Sequence, residues 1–168
     1  MAQALEPKIK QLALEPLLSK NATQLAEQAN EFIKEVTKEI RCLKQAQKWL
    51  KNKNYRLELA IEIAESALEN EVLGFYSTPK EEEDEDKTEF IYNLYECLNC
   101  LFQSFETAVH KEISNDIRRR LSQHDLELYI KGFRIFEEKA IEYFSEKEDV
   151  IILISEYTKK IIEDISSY

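Results

Sequence analysis

The sequence predicts an all-α fold, a helical bundle of about five long helices preceded by a short N-terminal helix. One reason is that only two glycines and three prolines occur in 168 residues, whereas hairpins and other tight turns depend on these residues. A second reason is that apolar residues recur at steps of three and four, the period of an amphipathic helix, with no sustained strand-like alternation. The length suits a single domain covering residues 1–168.

The first half of the chain predicts three helices in succession. Two Leu-Glu-Pro motifs suggest a short helix from about Pro7 to Leu14 and a second helix that begins between residues 16 and 22, because proline is favoured in the first helical turn. Asn52 and Asn54 mark the end of this second helix. Its apolar stripe consists of Leu25, Ala29, Phe32, Val36, Ile40, Leu43, Ala46 and Leu50. A third helix follows, with apolar positions from Leu57 to Val72.

An acidic segment interrupts the helical pattern. Ser-Thr-Pro-Lys at residues 77–80 is followed by six consecutive acidic residues, and like charges packed this densely repel one another. We therefore expect an exposed loop at about residues 75–87.

The second half predicts a long helix from Thr88 to residue 121, bent at residues 114–116 because three poor helix formers follow one another there. Capping-box patterns that begin at Ser122 and Ser145 then divide the remainder into helices over about 125–144 and 148–165. Two of the predicted helices exceed thirty residues. A second copy of the chain would cover their overhanging parts, so we expect a homodimer.

Charge and composition restrict the classes of function. The formal net charge of −10 opposes general binding to nucleic acid or to anionic membranes. The N-terminus lacks an apolar signal core, and no apolar run is long enough to span a bilayer. Three cysteines cannot all pair within one chain. We expect an acidic cytoplasmic protein that does not bind the membrane.

One local region is basic despite the negative net charge. Residues 34–56 contain eight basic and two acidic residues. The C-terminus of a helix is the negative end of its dipole and favours basic residues, which accounts for part of this bias. A patch for an acidic partner, RNA or DNA is the functional interpretation, with Trp49 or Tyr55 available to stack on a base. The candidate binding residues are Lys44, Lys48, Lys51, Lys53 and Arg56.

Two possible metal motifs do not develop into sites. Cys97-x-x-Cys100 lies among apolar residues in the middle of a predicted helix, whereas zinc needs about four ligands. Helical di-iron proteins use Glu-x-x-His spacing, but Thr107 and Leu121 occupy the positions three residues before the two histidines. We expect buried structural thiols, and neither a metal nor a cofactor.

One pair of residues has a chemical rationale for catalysis. Arg119 and His124 stand at a predicted helix end with four residues between them. An arginine can stabilise charge that develops on a phosphate, and a histidine can transfer protons near neutral pH. Here the chain resembles the HEPN family of small all-helical proteins. The resemblance implies a metal-independent ribonuclease with a composite site at a dimer interface, although Arg120 stands where that family commonly has a small polar residue.

The sequence favours a non-enzymatic, self-associating helical module for protein interaction or an adaptor, because the catalytic patterns fail and the amphipathic helices are long. The alternatives are the HEPN-like ribonuclease or toxin-type module, with Arg119 and His124 as its catalytic residues, and a subunit of a nucleoprotein complex that binds through residues 44–56. Binding to nucleic acid is the less favoured of the partner classes.

Overall fold

A computed structural model of the protein describes residues 22–69, 80–121 and 126–167, and these ranges contain six helices and no strand. The all-α prediction is confirmed. The expected short helix at Pro7–Leu14 lies outside the described residues. The helices are α1 (Ala22–Leu50), α2 (Lys53–Glu69), α3 (Lys80–Thr107), α4 (Asn115–Leu121), α5 (Leu126–Tyr143) and α6 (Glu148–Ser166).

The chain divides into two compact units, residues 1–41 and residues 42–168, and the boundary falls within α1. The described part of the first unit is the helical segment 22–41. The second unit holds the last nine residues of α1 together with α2 to α6. The expectation of one domain over residues 1–168 stays a prediction.

In the second unit, four helices form a closed ring around the core. α2 packs against α3 and α5, and α6 packs against the same two helices. The short α4 contacts α3 and α6. Each helix contributes one apolar face, and the largest fully buried side chains include Ile63, Leu98, Tyr129, Phe133 and Ile154. The periodic apolar pattern in the sequence therefore corresponds to the core of a four-helix arrangement.

The close approach of α5 to its neighbours depends on Gly132. A Cβ atom at this position would lie 3.3 Å from Cδ2 of Leu94, 3.4 Å from Cγ2 of Ile63 and 3.6 Å from Cζ of Phe90. These three atoms belong to side chains of α2 and α3. The missing side chain thus leaves room for two helices to contact the same point of α5.

A hydrogen-bonded polar pair lies within this core. The Nδ2 atom of Asn93 donates a hydrogen bond of 3.0 Å to the hydroxyl of Tyr129, and both residues are fully buried. Burial raises the pKa of Tyr129, whereas the hydrogen bond to Asn93 lowers it in part. The bond satisfies a hydroxyl that would otherwise be costly to remove from water.

The structure differs from the predicted acidic loop. α3 begins at Lys80 and includes residues 80–87, while residues 70–79 lie outside the described residues. The acidic sequence therefore stands at the N-terminal end of a helix, where the helix dipole favours negative charge. Repulsion between neighbouring carboxylates therefore does not prevent a helix from starting at Lys80.

The predicted long helix over 88–121 is two helices, with a complete break at residues 108–114 instead of a bend. Ala108 has a φ of 56°, in the left-handed region. The Oγ of Ser104 accepts a hydrogen bond of 2.9 Å from the backbone N–H of Lys111, which holds the chain after the break. Ser114 then caps α4, because its Oγ accepts a hydrogen bond of 3.3 Å from the N–H of Ile117.

The boundaries of the last two helices agree with the sequence to within one residue. α5 and α6 cover the predicted ranges, although α6 starts after Lys147 without a side-chain cap and not from the predicted Ser145 box. No described helix exceeds thirty residues, since α1 has 29 and α3 has 28. The argument for a dimer from overlong helices is correspondingly weaker.

We expect the effect of a substitution at Gly132 on the free energy of unfolding to depend steeply on the size of the new side chain. Gly132→Ala should change the free energy of unfolding by less than about 1 kcal/mol, because the gain in helix propensity offsets tight contacts. Gly132→Leu should destabilise the protein by about 1–3 kcal/mol or more through overpacking. Chemical denaturation followed by circular dichroism measures both. Equal stability of the two variants would show that α5 does not approach α2 and α3 this closely.

Candidate functional site

The structure describes one residue of the predicted ribonuclease pair, Arg119. Arg119 lies near the end of α4 with an exposed side chain. His124 falls in residues 122–125, outside the described residues. The catalytic assignment of Arg119 and His124 stays a prediction.

The basic patch predicted over residues 44–56 separates into two kinds of residue. The side chains of Lys44, Lys48, Lys51 and Lys53 are exposed. Arg56 is buried, with only 8% of its surface exposed. Whatever the lysines bind, Arg56 does not share their surface.

Arg56 connects the end of α1 to α3. Its Nε donates a hydrogen bond of 2.8 Å to Oδ1 of Asn99, and one terminal nitrogen donates to the backbone carbonyls of Leu50 and Lys51. The guanidinium also lies 4.5 Å from the centre of the Phe102 ring. The last carbonyls of a helix have no partner within it, so Arg56 supplies donors that the end of α1 requires.

Trp49 is likewise part of the core. It is 4% exposed, and its Nε1 donates a hydrogen bond of 3.0 Å to the Tyr55 hydroxyl. Its ring stacks on Phe136 and on Tyr143, with centroid distances of 5.3 Å and 5.6 Å. Trp49 therefore has no exposed ring face on which a base could stack. The ring of Tyr143, in contrast, is 61% exposed.

The three cysteines form no disulfide bond. Cys42 and Cys97 are buried, and Cys100 is half-buried. Burial raises the pKa of Cys97 well above its ordinary value, and burial together with the negative charges of Glu96 and Asp164 raises the pKa of Cys100 to about 11. Within the described ranges, no three His, Cys, Asp or Glu side chains meet in a way that could hold a metal ion.

Sequence reasoning missed a cluster that the tertiary structure assembles from the 108–114 segment, α4 and α6. Nε2 of His110 lies 2.9 Å from Oδ2 of Asp164, and a terminal nitrogen of Arg118 lies 3.9 Å from the same oxygen. Arg118 also pairs with Glu112 at 3.2 Å. The residues of this cluster are 54 positions apart at most, so no local motif could have revealed it.

The geometry of this cluster is that of a structural tie. One ring nitrogen of His110 faces Asp164, and its Nδ1 is buried without a hydrogen-bond partner among the described residues. A general base needs a nitrogen that substrate can reach. The cluster instead anchors the segment after the α3 break to α6.

The apolar stripe in the N-terminal part of α1 is more exposed than the rest of the same stripe. Between residues 24 and 41 no side chain is buried, and the stripe residues are only half-buried. From residue 42 onwards the same stripe is buried in the second unit. Ile33, beside the stripe, is 59% exposed. The half-buried residues are Leu25, Ala29, Phe32, Val36 and Ile40.

The comparisons with known proteins give no match: no family model, curated protein or solved structure is similar to the chain. In the ranges that the structure describes, no helix has both the length and the apolar character needed to cross a bilayer.

Replacing Arg56 tests whether it acts in folding. We expect Arg56→Ala to lower the free energy of unfolding by about 2–4 kcal/mol, because charge-assisted hydrogen bonds and the contact with the Phe102 ring are lost. The matched control Lys53→Ala, at an exposed lysine, should change it by less than about 0.5 kcal/mol. Chemical denaturation of both variants is the measurement. Similar values for the two variants would contradict the structural role of Arg56.

The raised thiol pKa values predict slow labelling. At pH 8 about one in a thousand Cys100 side chains should be thiolate, against about one in four for an ordinary thiol. The labelling rate of Cys100 by a disulfide reagent should rise about tenfold per pH unit towards pH 10, since the thiolate is the reactive form. Mass spectrometry locates the labelled residue, and the unfolded protein provides the control. Labelling at pH 8 as fast as in the unfolded protein would contradict the assignment of buried structural thiols.

Proposed function

We propose that the protein is a non-enzymatic, self-associating interaction module that binds other helices through the apolar stripe of residues 25–40. The observation that carries this proposal is the half-burial of a five-residue stripe on a 20-residue helical segment. Most of the stability of a helix in water comes from packing its amphipathic face against something else. A helical partner would bury the part of the stripe that is still exposed.

The character of the stripe fits helix pairing. Its residues are four, three, four and four positions apart, so that they lie on one side of the helix. Side chains at such spacing insert between those of a second helix in knobs-into-holes packing. At about 1.5 Å per residue, the segment presents roughly 30 Å of helix.

The alternatives receive less support from the structure. A nucleoprotein role would rest on four exposed lysines, without the buried Arg56 or an accessible Trp49 ring. A ribonuclease role would rest on His124, which lies outside the described residues. Association through a helix face needs neither.

Charge substitution on the stripe tests the proposal. We expect Val36→Glu to abolish association with a helical partner, whether a second copy or another protein, because the carboxylate would be desolvated at the interface. The control Lys34→Glu replaces an exposed residue of the same segment and should leave association intact. Light scattering of the pure protein measures self-association, and capture from the native host with each variant measures other partners.

Two results would contradict the proposal. One is a monomer that captures no partner. The other is an association that Val36→Glu and Lys34→Glu affect equally. Circular dichroism of both variants establishes that residues 42–168 remain folded.

A further inference from the structure

α2 carries a second apolar stripe outside its core face. Leu57 is 44% exposed, Ile61 is 36% exposed and Leu68 is half-buried. Steps of four and seven residues place these side chains in one line along the helix. Ala64 falls on the same line and is buried. The exposed edge of α2 is thus more apolar than a solvated helix face requires.

A line of acidic residues runs beside this stripe. Each residue of the stripe is followed directly by a glutamate, giving Glu58, Glu62, Glu65 and Glu69, all exposed. These glutamates repeat the spacing of four, three and four residues. The apolar stripe therefore has a continuous acidic border along the 17 residues of α2.

Only the central glutamates of this border form ion pairs in the described part of the chain. Glu62 lies 3.4 Å from Nζ of Lys139, and Glu65 lies 3.3 Å from Nζ of Lys87. Both pairs are largely solvated, which limits their strength. Glu58 and Glu69, at the two ends of the border, present their charge to solvent.

We propose that this face of α2 binds an amphipathic helix of a partner protein whose apolar stripe is flanked by lysine or arginine. Such a helix would bury Leu57, Ile61 and Leu68 and bring its basic residues beside the four glutamates. Apolar anchors provide affinity in this mode of recognition, and flanking charges set the choice of partner and its orientation.

The same border argues against other occupants. Four glutamates repel the phosphates of a nucleic acid. The α2 of a second copy would carry an identical acidic border, so pairing of two α2 helices would bring like charges together. A basic helix from a different protein is the occupant that matches both the apolar and the acidic line.

A synthetic peptide pair tests this proposal with the full-length protein. The probe is a fluorescently labelled 21-residue helix with leucine at the core-facing positions of its heptads and lysine at the flanking ones. The reference peptide has glutamate at those flanking positions. By fluorescence anisotropy, we expect the lysine peptide to bind at least tenfold more tightly, with an affinity that falls as salt rises.

Two variants localise the binding. Glu58→Lys combined with Glu69→Lys should weaken binding of the lysine peptide at least tenfold. The control combines Glu142→Lys with Glu156→Lys, exposed residues of α5 and α6, which change the net charge by the same amount and should leave the affinity nearly unaltered. Ile61→Ser should also weaken binding, without any change of charge.

Three outcomes would overturn the proposal. The first is equal binding of the two peptides, and the second is equal weakening by the control pair, which would indicate general attraction to an acidic protein. The third is a dimer of the wild type in light scattering that Ile61→Ser converts to a monomer. In that case a second copy covers the face.

Discussion

The ring of α2, α3, α5 and α6 depends on how closely α5 can approach two other helices at once. Gly132 removes the one side chain that would stand between them, and Leu94, Ile63 and Phe90 fill the space. Close packing of this kind allows little change in volume. Because α5 is fixed by these contacts, the other surfaces of the second unit keep defined positions relative to its core.

Near the α1–α2 connection, two residues that the sequence assigns to a binding patch, Arg56 and Trp49, are buried in the core. Arg56 supplies hydrogen bonds to the last carbonyls of α1 and to α3, and Trp49 stacks between Phe136 and Tyr143. Both side chains stabilise the short connection between α1 and α2. What remains at the surface is a set of lysines and the exposed ring of Tyr143.

The apolar stripes of α1 and α2 are not fully buried, and they differ chemically. The stripe of residues 25–40 in α1 is long, and none of its residues is buried. The stripe of α2 is short, partly covered, and bordered by four glutamates. We propose that both faces bind other helices and that the acidic border makes the α2 face the more selective of the two.

The sequence by itself determined the helical class, the boundaries of the last two helices and the core faces, because apolar period and capping residues act over a few positions. The structure alone decided which charged residues are buried. In the sequence, Arg56 belongs to a lysine-rich patch. Its structural role depends on the hydrogen bond to Asn99, which lies 43 positions away. The tie between His110 and Asp164 spans 54 positions. Contacts between distant residues follow from how the helices pack, and the order of residues along one helix does not contain that information.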